Sequence, residues 1–464
     1  MPQGTFIDVL RRHAFKSPAD PFTDDGLDEA PYGIEPLRIL VSPLAGDNQR
    51  LAARHIHDRL AGRLGVSVSI ADRPLTVPGA DYSQPLFVSM AIELGRRWLQ
   101  RESADLLIWG ENISTYAAKA PKETRSSWRL RFLGGSTPLH PQSATMSALE
   151  RLEVPELFDD ATGDLVFGAA LAAINVESAE GVRARAGMFR PVLHAATHFA
   201  EGDMEGTVAE GATAQSAYAA LLLLEGARTS DVKMLERAVS VYQGVLILGE
   251  DAFTEHEQAM IGSHISDALS LIGEIAERPK LADKTIEYYR AALSMVRKEV
   301  FTDEYAALNV RLGLALHGQA LSTGETLNLK EATDAFSAAT SIWTITDAPE
   351  RWADIQNSLG GLLVTMGELT QQPSLFDKAV TVFLKIVQVR SRTKAPLAWA
   401  TTLAHIGAAL KEKGIAAENT ECLKQAAEAF DRACQVFIEL NLDINAELAA
   451  NQREAVLKLL AEQP

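Results

Sequence analysis

The sequence predicts a multidomain chain, an N-terminal α/β sandwich followed by an all-α helical solenoid. Three observations predict it. Short apolar, branched runs alternate with helical segments between residues 37 and 174. Beyond residue 212 one pattern recurs five times at a spacing of 47 residues. Over 464 residues, a hydrophobic content of 47% and a charged content of 23% are those of an ordinary globular protein with two or three domains.

Residues 1–35 come first. "TFIDVLRRHAF" (Thr5 to Phe15) is a short amphipathic stretch, and an acidic tether punctuated by proline follows it. The pair suits a tethered helix that docks on the chain itself or on a partner. Residues 36–177 are expected to form the α/β domain. "LRILVSPL" reads as a buried strand, "VSVSIA" as a strand, "ADLLIWGENIS" as another buried strand, and "SSWRLRFLGG" as an alternating antiparallel strand. Helices are expected between them, one capped by Asp47 and one over "SQPLFVSMAIELGRRWLQRES". "DATGDLVFGAALAAI" (Asp160 to Ile174) is the closing helix. Residues 178–211 make a helical junction.

Residues 212–445 hold the repeat. Stepping by 47 from Phe383 gives Tyr242, Tyr289, Phe336 and Phe430, all aromatic. Four residues earlier stand Ala238, Thr285, Ala332, Ala379 and Ala426. A third column is small throughout: Ala219, Ser266, Gly313, Gly360 and Gly407. A fourth reads Gly226, Gly273, Ala320, Gly367 and Gly414. The small column lets two helices approach, the aromatic fills the space between neighbours, and the last glycine suits a helix C-cap. Pro349 and Pro396 suit helix starts. Each unit is a helical hairpin that buries its apolar face only by stacking on the next. Residues 446–464 break the columns and read as a capping helix.

These columns resemble the tetratricopeptide repeat, lengthened here from the usual 34 residues to 47. The resemblance implies protein–protein recognition along the first helix of each unit. Carried onto this sequence, the partner groove takes Ser263, Asp267, Val310, His317, Asp354, Asn357, Lys411 and Glu412. That lining is mixed and gives no clamp for a terminal carboxylate. Upstream, "VSPLAGD" (Val41 to Asp47), "ADLLIWGE" (Ala104 to Glu111) and "WRLRF" (Trp128 to Phe132) resemble the small α/β domain at the N-terminus of TolB. That likeness implies a docking or sensing module without catalysis. A TIR-like reading fails, because Glu93 precedes the third strand instead of following it.

Charge and motifs narrow the function. A net charge of −17 disfavours nucleic acid and anionic lipid as partners. Residues 1–200 hold 21 of the 44 basic and 24 of the 61 acidic side chains, so most of the excess lies beyond them. No apolar run reaches about 18 residues, so no membrane insertion is expected. The first residues lack the apolar core of a signal peptide, which points to the cytoplasm. Cys422 and Cys434 read as core cysteines. No phosphate loop or dinucleotide fingerprint occurs, and no cofactor or catalytic residue is expected. His194 and His198, four apart on one helix face, are the weak metal candidate; surface or inter-domain histidines are the plainer reading. Lys119, Lys122, Arg125, Arg129 and Arg131 form the one basic patch. It suits a solvated loop, or a dock for an acidic partner or for the chain's own repeats. The expected function is a non-enzymatic cytoplasmic adaptor or scaffold of bacterial type, regulatory by resemblance, with protein partners and homo-oligomerisation left open. The rival is a small-molecule sensor or enzyme in the α/β domain, with a pocket near Gly46, Asp47 and Glu111 and the repeats recruiting partners.

Overall fold

The computed structural model describes residues 36–47, 50–77, 80–116, 124–137, 145–174, 187–189, 191–197, 206–248 and 250–462. It divides into two compact units, one ending at Leu308 and one running from Asn309.

The first unit opens with β1 (Leu37–Val41), α1 (Leu51–Leu60), β2 (Val66–Ile70), α2 (Pro85–Glu102), β3 (Leu106–Tyr116), β4 (Thr124–Gly134), β5 (Leu152–Pro155) and α3 (Asp160–Ala173). The sheet order is β2-β1-β3-β4-β5. β1 pairs in parallel with β2 and β3, while β3–β4 and β4–β5 are antiparallel. One face of the sheet, with Ile39, Val41, Ile108 and Phe132, packs on α1 and α3. On the other face Gly95 brings α2 against Leu107 and Leu133, where a Cβ would come within 3.0 Å of Leu107. Helices therefore cover both faces of a mixed sheet. Asp47 lies before the helical start at Leu51, and it does the capping. Its carboxylate accepts from the N–H groups of Leu51 and Ala52 at 3.1 and 2.8 Å.

Helical hairpins follow: α4 (Val208–Thr229) with α5 (Val232–Leu248), and α6 (Glu255–Ile275) with α7 (Leu281–Met295). The hydrophobic core of this unit does not stop at the sheet. It runs from Ile39 through α3 and α4 to Ile272 as one cluster. α8 (Thr302–Thr323) begins in this unit.

The second unit holds the rest of α8, then α9 (Leu327–Thr340), α10 (Pro349–Thr370), α11 (Pro373–Val389), α12 (Pro396–Ala416), α13 (Thr420–Glu439) and α14 (Asp443–Glu462). In three hairpins the aromatic of the second helix lies on the small residue of the first. A Cβ on Gly313 would sit 2.8 Å from the Phe336 ring, and one on Gly407 3.1 Å from Phe430. Gly360 is tighter still against Phe383.

The glycines expected as C-caps do something else. Gly226, Gly273, Gly367 and Gly414 are helical, and their carbonyls accept from the N–H groups of Asp231, Arg278, Gln372 and Asn419. The left-handed residues that end the first helices are Ser230, Glu277, Gly324, Gln371 and Glu418, again 47 apart. The glycines instead give room: a Cβ on Gly414 would fall 2.7 Å from Leu423. Cys422 is buried, but Cys434 is only half-buried, which corrects its reading as a core residue.

Candidate functional site

A connected group of charged side chains lies in the first unit, where the sheet meets α4 and α6. Register creates it. Glu111, Arg129 and Glu153 are direct cross-strand neighbours on β3, β4 and β5. Arg129 therefore bonds both carboxylates at 3.0 Å. Glu153 passes the chain to Arg151 at 2.9 Å, and Arg151 reaches Glu257 on α6. Arg131 completes it, 3.6 Å from Glu257 and bonded to the Leu149 carbonyl at 2.6 Å. Charges alternate from the half-exposed Glu111 to the buried Glu257. Burial would push the Glu257 carboxyl up, but Arg151 and Arg131 outweigh it and hold it at about 2. Burial brings Arg131 down to about 10.

A second cluster adjoins the first. His264 on α6 meets Glu150 at 2.8 Å and Asp267 at 3.6 Å. Tyr289 donates to Asp267 at 2.5 Å, and the Tyr242 ring stacks on His264. Burial opposes a charge on His264, but Glu150 and Asp267 prevail and raise it to about 9.

The repeat spacing puts these contacts in order. Glu210, Glu257 and Glu304 stand 47 apart, each in the first turn of a hairpin's first helix. The first two belong to Thr-x-x-Glu boxes: each carboxylate accepts from the N–H of Thr207 or Thr254. Each of the three is also met from the α/β side. Ser127 donates to Glu210 at 2.7 Å, Arg151 pairs with Glu257, and Arg96 on α2 lies 3.7 Å from Glu304 while pairing with Asp303. The positions that follow in step are Arg351 and Ala398, so the acidic row ends there. The capping boxes at equal spacing were the sequence signal for this row.

The expected groove residues divide. Ser263, Asp267, Val310 and His317 are buried, which corrects their placement on an open surface. α6 is enclosed by its own hairpin partner and by the α/β side, so its polar residues turn inward; on α8, His317 bonds Thr365 at 2.9 Å. Asp354, Asn357, Lys411 and Glu412 are half-buried. Arg390 donates to Asp354 at 2.7 Å, Asn357 bonds His405 at 2.8 Å, and Lys411 pairs with Glu412 at 3.2 Å.

The basic patch does not form as a surface of five. Arg129 and Arg131 lie inside the charged seam, Arg131 against Glu257 of the repeats. Arg125 is in β4, and Lys119 and Lys122 fall outside the described residues. His194 is exposed on the helical residues 191–197, and His198 falls outside the described residues. Among the described residues no group of His, Cys, Asp and Glu converges as a metal site. Near the expected sensor pocket, Asp47 is used in capping and Glu111 in pairing with Arg129. Ala45 and the backbone of Gly110 and Asn112 close on each other through two bonds of 2.9 Å. A pocket of about 200 Å³ lies elsewhere, among Pro85, His256, Met295, Arg297 and Phe301. Among the described residues no helix is long and apolar enough to cross a membrane.

No protein-family model matches the sequence, and no curated protein matches it. Among solved structures the chain is similar to BtubC (BKLC) from P. vanneervenii, with 18% identity over 54% of this chain and 88% of that one, at a TM-score of 0.37. It is also similar to the TPR2AB domain of yeast Sti1 in its pHSP90 complex, with 16% identity over 64% of this chain and 98% of that one, at a TM-score of 0.22.

Proposed function

We propose that the chain is an adaptor or scaffold that binds protein segments along the first helices of its later hairpins, which are lengthened tetratricopeptide units of 47 residues. The observation that carries this reading is the contrast between α6 and the pair α10 and α12. On α6, 15 of the 21 residues are buried, Ser263 and Asp267 among them. On α10 and α12 polar side chains remain half-open: Asp354, Asn357, Lys411 and Glu412. The partner is a polypeptide with charge of both signs, since both signs line that face. Under this reading the α/β domain is a docking or sensing module without catalysis, fixed on the first hairpins. The cytoplasm is its expected compartment.

The test is capture by the full-length protein set against a full-length variant carrying Asp354→Lys, Asn357→Arg and Lys411→Glu. A partner held by the first and lost by the second, at a temperature where circular dichroism shows both proteins folded, is the expected result. Equal retention by both would remove this face from the function.

A further inference from the structure

Helix α6 carries two buried histidines, His256 and His264, that face opposite surroundings. His264 is 3% exposed and lies between carboxylates, Glu150 from the segment before β5 and Asp267 from its own helix. The ring of Tyr242 from α5 and the hydroxyl of Tyr289 from α7 complete its shell. His256 is 4% exposed; Arg131 from β4, Arg151 from the sheet side and Arg297 from the connection before α8 act against a charge on it, and Arg297 shares its pocket. Glu257, its neighbour in the chain, is already held by Arg151 and Arg131. The His256 ring rests 4.9 Å from Phe301 and its Nε2 lies 3.1 Å from the Thr254 hydroxyl. It also walls the small pocket that the exposed Glu255, Met295 and Arg297 line, so protons have a route to it.

We propose that the seam between the sheet and the second hairpin is a protonation-gated joint, locked by a charged His264 and a neutral His256 and loosened when either changes state. The charge layout sets both directions. Burial lowers His256 to about 4, and the three arginines add to it against the pull of Glu257. Its folded value is depressed, so its contribution is full above its ordinary 6.5 and is lost as pH falls toward about 4. His264 is raised to about 9, so its contribution is full below 6.5 and is lost as pH rises through about 9. The joint is therefore tightest near pH 6.5. Glu257, held at about 2, keeps its charge across this range and is not the trigger. Tyr242, pushed well above its ordinary value by burial and then by Glu150 and Asp267, stays neutral.

The experiment is hydrogen-exchange mass spectrometry of the full chain from about pH 5 to about pH 8.5, corrected for intrinsic exchange. Peptides from β4, β5 and α6 report the joint, and peptides from α11 to α13 serve as the internal reference. Protection of the joint should peak near about pH 6.5 and fall by roughly tenfold or more at each end relative to the reference. His256→Asn should remove the acid limb and leave the alkaline one. Glu150→Gln should move the alkaline limb to lower pH and leave the acid one. Should the Asn variant fail to fold, His256→Gln takes its place. Protection that tracks the reference at every pH, or an acid limb that survives both His256 substitutions, would overturn the proposal.

Discussion

At the scale of single residues, the seam shows how far a buried charge depends on its partners. Glu257 has no exposed surface and is met by Arg151, Arg131 and the cap of its own helix. Such a network adds little against an apolar alternative, but removing one member leaves the others buried and uncompensated. Glu257→Gln should therefore cost about 3–5 kcal/mol. Arg151→Met combined with Glu257→Met should cost clearly less than the two single changes together. Chemical denaturation of the four proteins measures this as a coupling free energy. Additive single effects would mean that Arg151 and Glu257 do not act as a pair. Sequence alone read Arg129 and Arg131 as part of one basic patch, with docking on the chain's own repeats among its readings, and put Ser263 and Asp267 in a groove. Arg131 does meet Glu257 of the second hairpin, whereas Ser263 and Asp267 are buried, because residue type does not say which face of a helix or strand another layer will cover. One signal pointed the other way. α4 reads "AYAALLLLEG" with little polar interruption, and a helix apolar on every side is one enclosed on every side.

At the scale of helices and strands, the small-residue columns were legible, and the hairpins follow from them. What the columns do was only half legible. Gly313, Gly360 and Gly407 admit the aromatic ring, as expected, whereas Gly226, Gly367 and Gly414 admit the following helix and are not the left-handed caps. The true caps, Ser230, Glu277, Gly324, Gln371 and Glu418, share a backbone angle but no side-chain type, so no sequence column marks them. β5 went unseen because four residues ending in proline look like a loop; it is held by the ladder to β4 and by Arg129 on Glu153. The glycine roles can be separated by substitution. Gly360→Ala forces a methyl into the Phe383 ring and should cost about 1–3 kcal/mol. Gly318 is also helical but exposed, and a methyl added there would meet no atom within 4 Å. Gly318→Ala should therefore gain about 0.5–1 kcal/mol. Melting curves followed by circular dichroism should shift in opposite directions. A shift of the same sign for both would mean that helix propensity, not ring packing, sets the column.

At the scale of the whole molecule, the sequence places a boundary between an α/β domain ending at residue 177 and repeats beginning at residue 212. The hydrophobic core of the first unit ignores that boundary. It joins Ile39 and Phe132 of the sheet, Leu165 and Ala172 of α3, Leu221 of α4 and Ile265 of α6 in one cluster. α3 is the physical reason. Its Gly168 lets α4 approach so closely that a Cβ would lie 2.8 Å from Leu221, while its other residues pack under the sheet. One helix thus serves both as a layer of the α/β domain and as the first surface on which hairpins stack. In a stacked array, elements that share a core open together, and elements linked only through intermediate repeats open separately. Native-state hydrogen exchange in increasing denaturant should then give the amides of β3, β4, α4 and α6 one common opening free energy. The amides of α11, α12 and α13 belong to a separate apolar cluster around Phe383 and Phe430, and should follow a different one. Cutting the chain between residues 177 and 212 should expose the face of α3 that Leu221 covers, so an N-terminal fragment ending there should bind a hydrophobic dye and lose its sheet protection. If that fragment instead keeps the protection of β3 and β4 unchanged, the α/β domain is autonomous and α3 is only a neighbour of the hairpins.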